Sequence, residues 1–184
     1  LIRTPQGNFG CSGSLLPNRR QILTAAHCVT DGSNVVTATS VDVRFQGANN
    51  STNPFAETRT VLTAGVRVNP AYTGLVVAGA DVAILDLPSE APAFATTIDL
   101  YDGPTDFANP NSVGEVGVGR GDSGGPAVFQ GRIVGVASWG GQFFANGFPQ
   151  FGFGTIYGHT NLLATVNATW LRQNILPPQQ VVPE

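Results

Sequence analysis

Lysine and methionine do not occur in this chain of 184 residues, and cysteine and histidine occur only twice each. All 9 basic side chains are therefore arginine; they are scattered, and the formal net charge is −3. Nucleic acid and anionic membrane surfaces need a concentrated basic face, so neither is expected as a partner. Long apolar runs are missing too. The stretches 75–78 and 133–137 fall far short of the roughly 20 residues a membrane-spanning helix requires. Charged residues make up only 11% against 42% hydrophobic, which excludes a disordered or coiled-coil chain. What is abundant is 23 glycines and 13 prolines, the composition of a turn-rich, all-β globular protein with length enough to bury a sizeable core.

Short apolar runs bounded by Gly, Pro, Asn and Asp read as strands at 12–16, 21–25, 41–45, 59–68 and 81–87. Alternation is cleanest at Val41, Val43 and Phe45, so one face of that strand is expected to pack on a core. Residues 102–112 carry two prolines and little apolar content, as a linker or an ordinary surface loop would. Strand patterns resume at 113–118, 127–130, 133–139 and 152–157. Leu162, Val166 and Trp170, with Leu163 and Leu171 alongside, then fall on one helical face, and Thr160 is a candidate cap for that helix. Pro177 and Pro178 end it, ahead of a flexible tail over 177–184.

The chain opens on Leu1 without a basic-then-apolar leader, so the numbering is expected to begin inside a longer precursor. Cys11 and Cys28 can be a disulfide, two buried thiols or part of a metal site. Neither histidine sits in H-E-x-x-H or C-x-x-C company, which makes metal the least favoured of the three, and no metal site is expected.

Chemistry concentrates in Gly121-Asp122-Ser123-Gly124-Gly125-Pro126. A serine wedged between glycines lies in a turn where backbone N–H groups can face a ligand. Serine is unreactive at its own pKa, so it needs a base to take its proton and donors for the oxyanion. His27, in Thr24-Ala25-Ala26-His27-Cys28, is the natural base. Alone, a histidine beside a cysteine is more often structural than catalytic. Both strings together, in this order, resemble the signature of the trypsin/chymotrypsin serine proteases. That resemblance implies His27, Asp81 and Ser123 as the catalytic triad, with Asp81 taken from Gly79-Ala80-Asp81-Val82-Ala83-Ile84-Leu85. It also implies an oxyanion hole from Gly121 and Ser123, and a substrate-binding strand at Ser138-Trp139-Gly140. Cys11-Ser12-Gly13-Ser14-Leu15-Leu16 is similar to the family segment whose cysteine bridges to the one beside the histidine, which implies a Cys11–Cys28 disulfide and an exported, oxidising location.

The family fold is a pair of β-barrels. Here the resemblance implies 1–101 as a first barrel half carrying His27 and Asp81, 102–112 as a linker, and 113–176 as an incomplete second half carrying Ser123 and a C-terminal helix. The activity implied is that of a serine endopeptidase acting on protein or peptide substrates without a cofactor. A rival reading is a non-catalytic relative that uses the scaffold for binding. Two departures from the family motivate it. Only ten residues precede Cys11, with no Ile-Val-Gly-Gly-like start to pair with Asp122, for which Arg120 and Arg132 are substitute partners. The interval between Asp81 and Ser123 is also about half the family's, so part of the specificity pocket is expected to be absent. The result is a shortened relative: a compact one, or a truncated copy whose closing Val181-Val182-Pro183-Glu184 resembles the start of a bacterial sorting tail.

Gly121 to Gly125 also fit G-x-S-x-G, the lipase elbow, with His159 downstream. That fold runs serine, acid, histidine, and no Asp or Glu lies between Ser123 and His159. His159 is expected at the surface or a barrel end, and Asp86 is expected to be a strand-end charge. Asn49-Asn50-Ser51-Thr52 and Asn167-Ala168-Thr169 match glycosylation sequons in form only.

Overall fold

A computed structural model describes residues 1–46, 57–103, 113–114, 122–141, 144–145, 148–149 and 156–177. The strands of the first hundred residues are β1 (Ile2–Thr4), β2 (Gly7–Phe9), β3 (Ser14–Leu15), β4 (Gln21–Thr24), β5 (Ser40–Phe45), β6 (Glu57–Leu62), β7 (Val66–Val68) and β8 (Ala83–Asp86). They form two antiparallel sheets, ordered β2-β1-β5-β6 and β3-β4-β8-β7. β4 and β8 pair from Gln21↔Asp86 to Thr24↔Ala83. Nearly every residue of the two is buried, as continuous rather than alternating apolar runs require.

The run 59–68 reads as one strand in sequence, but the structure breaks it at a 3-10 turn, Thr63–Gly65, and hands its two ends to different sheets. Val61 pairs with Val41, whereas Val66 pairs with Leu85. Gly65 allows the corner, since a Cβ there would lie 2.9 Å from Val61 Cγ1 and 3.0 Å from Asp86 O. β5 departs from simple alternation. Val41 and Phe45 are buried as expected, but Asp42 is buried as well. Its carboxylate accepts from Arg3 Nη2 at 2.5 Å and from its cross-strand neighbour Thr60 at 2.9 Å, which offsets the cost of burial.

Beyond residue 101 come β9 (Val113–Gly114), β10 (Pro126–Phe129), β11 (Arg132–Gly141), β12 (Phe144–Ala145), β13 (Phe148–Pro149) and β14 (Ile156–Asn161). Their order is β14-β11-β10-β9, with β12 and β13 paired separately. β10 and β11 form a hairpin whose two turn residues, Gln130 at φ 49° and Gly131 at φ 76°, are both left-handed, the geometry that matches strand twist. The resemblance implied barrels, the second incomplete. Among the described residues the sheets remain open, and no strand pairing closes one on itself.

One α-helix occurs among the described residues, α1 (Thr165–Asn174). Leu162, Trp170 and Leu171 are buried as the helical spacing implies, but Val166 is 48% exposed. Thr160 is not the cap: it belongs to β14, and Ala164 takes the N-cap position without a side-chain bond. The strand runs on to Asn161 because its pairing with Gly135 holds the backbone extended until after Thr160. A single contiguous core joins Leu16, Leu23, Val82 and Ile84 to Ile133, Val136, Leu162, Trp170 and Leu171. The expected linker, except 102–103, and the tail beyond Pro177 lie outside the described residues.

Candidate active site

β4 ends at Thr24, and the chain turns at once into a 3-10 helix, Ala26–Cys28, that presents His27 with about a quarter of its side chain exposed. Ala25 and Ala26 are fully buried, so small side chains let this turn sit tightly on the core. Asp81 precedes β8 and is completely buried. Its Oδ2 accepts from His27 Nδ1 at 2.7 Å, and its Oδ1 accepts from the His27 backbone N–H at 2.8 Å. One carboxylate thus holds both the ring and the main chain of the same histidine. An acceptor-only group at Nδ1 fixes the hydrogen there and leaves Nε2 with its lone pair.

Ser138, on β11, donates to the same Oδ2 at 2.5 Å and lies 3.3 Å from the Val76 carbonyl oxygen. Its hydroxyl is therefore committed to Asp81 rather than left for the substrate-binding role the resemblance implied. Trp139 and Gly140 continue the strand opposite Gly158 and Tyr157. Fully buried Tyr72 feels the same carboxylate: burial first, and the Asp81 charge second, push its phenol above the ordinary value.

Ser123 lies in a turn closed by Gly125 N–H donating to Asp122 O at 2.8 Å. Its carbonyl accepts from Ser12 N–H at 2.8 Å and lies 3.7 Å from Cys28 Sγ, which brings the turn against the histidine segment. Gly124 makes this approach possible. At φ 87° it occupies the left-handed region, and a Cβ there would lie 2.2 Å from Thr24 Oγ1 and 2.3 Å from Ser12 O. Among the described residues none forms a hydrogen bond with the Ser123 hydroxyl, so the link from serine to His27 Nε2 is not made here. Gly121, the other expected oxyanion donor, lies outside the described residues.

Cys11 and Cys28 are joined in a disulfide. The donor atoms of Cys11, His27 and Cys28 lie within 4.8 Å of one another, yet both sulfurs are used in the S–S bond, which removes the thiolates a zinc ion needs. Arg132, one of the two partners expected for Asp122, pairs instead with Asp102, whose carboxylate accepts from Arg132 Nη1; Arg120 lies outside the described residues. Asp86 caps β8 as a strand-end charge, accepting from Arg67 at 2.6 Å and Gln21 at 2.8 Å. His159 sits half-buried on β14, opposite Ala137. The asparagine of the second sequon is buried: the Asn167 amide is fully enclosed and hydrogen-bonded. The first lies outside the described residues.

Two residues of this neighbourhood have no counterpart in the motifs. Thr160 Oγ1 donates to the Asp81 carbonyl at 3.0 Å, and Asn167 Nδ2 donates to the Gly79 carbonyl at 2.7 Å. The sequence did carry one signal, a polar Asn four residues after Leu163 and three before Trp170, in the middle of the face read as apolar.

A family model described as Trypsin matches residues 2–120. The match takes in His27 and Asp81 and stops short of Ser123. No curated protein matches the chain. With more than half of its length matched by that model, and with a predominantly antiparallel all-β structure around the matched residues, the chain belongs to the trypsin family.

Proposed function

We propose that the protein is a serine endopeptidase that hydrolyses peptide bonds in protein or peptide substrates through an acyl-enzyme. The observation that carries this reading is the pair of hydrogen bonds that buried Asp81 accepts from His27. It orients the imidazole with hydrogen on Nδ1 and so reserves Nε2 to take a proton. In the proposed reaction Ser123 Oγ attacks the substrate carbonyl as His27 Nε2 accepts the hydroxyl proton. The imidazolium, stabilised by Asp81, then returns that proton to the leaving amine. Water deacylates the enzyme by the same steps. Backbone N–H groups of Gly121 and Ser123 are assigned to the oxyanion. The domain division belongs to the same reading: 1–101 supplies base and acid, 113–176 supplies the nucleophile, and 102–112 links them. The disulfide supports export to an oxidising compartment.

The unmade bond between Ser123 and His27 favours a second reading, a non-catalytic relative that binds through the same surface. On the peptidase reading the gap closes on binding, since catalytic hydrogen bonds are often long without substrate and tighten in the complex. A fluorophosphonate probe decides between the two. The peptidase reading expects covalent labelling of the wild type and none of Ser123→Ala. Labelling that persists in Ser123→Ala, or never occurs, would reject it.

A further inference from the structure

We infer that Asn167, at the start of α1, is a positioning residue that sets the reach of Asp81 toward His27. The inference rests on the reading of Asp81 as the acid partner of His27. Asn167 is fully buried, and its amide is used in three directions. Nδ2 donates to Gly79 O at 2.7 Å and to Asn161 O at 2.7 Å, while Oδ1 accepts from Asn69 Nδ2 at 2.9 Å. Each partner leads back to the acid. Gly79 stands two residues before Asp81, in the left-handed conformation at φ 84° that ends the preceding 3-10 turn. Asn69 N–H donates to Val82 O at 3.1 Å, directly after Asp81. Asn161 is joined to Thr160, whose hydroxyl donates to the Asp81 carbonyl at 3.0 Å.

Between residues 79 and 82 every carbonyl is therefore tied: Gly79 to Asn167, Ala80 to Val82 N–H, Asp81 to Thr160, and Val82 to Asn69. The segment is not part of a sheet until Ala83, so ladder bonds cannot hold it. Side chains from β14 and α1 supply two of the four ties, backbone N–H groups of Val82 and Asn69 supply the other two, and Asn167 also bonds Asn69 and Asn161, which flank them. A carboxylate meeting two nitrogens of one residue at 2.7 and 2.8 Å tolerates little backbone drift, and that is the property the clamp supplies.

The test reads the His27–Asp81 bond directly, by proton NMR of the His27 Nδ1–H signal and its exchange with solvent. The chain has only two histidines, so assignment is simple. In Asn167→Ala, with folding verified by circular dichroism, we expect exchange to accelerate about tenfold or more. Fluorophosphonate labelling should slow by between about tenfold and a hundredfold, the range for small misplacements near a reacting group. A folded Asn167→Ala with the Nδ1–H signal and its exchange both unchanged would overturn the inference. Should that variant fail to fold, Thr160→Val carries the same test, with Thr160→Ser expected to restore the wild-type signal. Loss of the hydroxyl without effect on the resonance would be equally decisive against the clamp. Failure of the peptidase reading is distinct: the wild type would not label, yet its Nδ1–H signal would still respond to these substitutions.

Discussion

Gly124 is where a single side chain would do most damage at the least change in size. Backbone φ and space both forbid a Cβ, because the turn is pressed onto Ser12 and Thr24. Gly124→Ala is expected to cost about 2–4 kcal/mol of stability and to abolish labelling of Ser123, as denaturant melts and the fluorophosphonate assay would show. Asp42 gives a prediction in pH. Its hydrogen bond from Arg3, above all, holds its carboxyl below the ordinary value of 3.8, with Thr60 acting in the same direction against burial. A depressed folded pKa means the stability is present above the unfolded value and is lost as pH falls through the folded one. Melting temperature should thus decline on acidification below about pH 4, and Asp42→Asn should flatten that limb by about 1 kcal/mol or less, the ion pair being half exposed at Arg3. The His27–Asp81 pair of the candidate site was legible at this scale, because both residues, like Ser123, stand in short strings of distinctive neighbours. Asn167 and Thr160 were not. Their roles come from acceptors that lie 88 and 79 residues away, and no local pattern marks such partners.

Among the elements, the β10–β11 hairpin was the easiest to read, with two apolar runs on either side of Gln130-Gly131. Its weak point is Gln130, a non-glycine residue in left-handed backbone. Gln130→Asn should raise stability by about 0.5–1 kcal/mol in thermal melts, since Asn adopts that conformation at less cost. β1 and β2 went unseen in the sequence. Each is three residues long, mostly polar, and exposed along β2, so neither leaves an apolar period to detect. The corner at Thr63–Gly65 was hidden for the opposite reason: apolar residues continue through it, and only pairing reveals that they belong to two sheets. The helix was legible in its interior and misread at its start, where strand pairing overrode the capping preference of Thr160.

For the whole molecule, composition correctly pointed to an all-β protein, but it carried nothing about how the sheets share one core. The disulfide is the covalent constraint across 17 residues of that core. Closing a loop of this length stabilises a chain by about 3 kcal/mol, so the double variant Cys11→Ala/Cys28→Ala should lose about that much in urea denaturation. The first and last described segments are also fastened together without covalent help. Asn18 and Gln21, at the hairpin joining β3 and β4, hydrogen-bond to Asn174 and Leu176 across 153 to 158 residues of sequence. A polypeptide emerging from the ribosome makes Asp81 long before it makes α1 or the strand ahead of it. The acid therefore gains its full set of hydrogen-bond partners only after a segment 79 to 88 residues further along has been made, so its surroundings are completed late relative to its own synthesis.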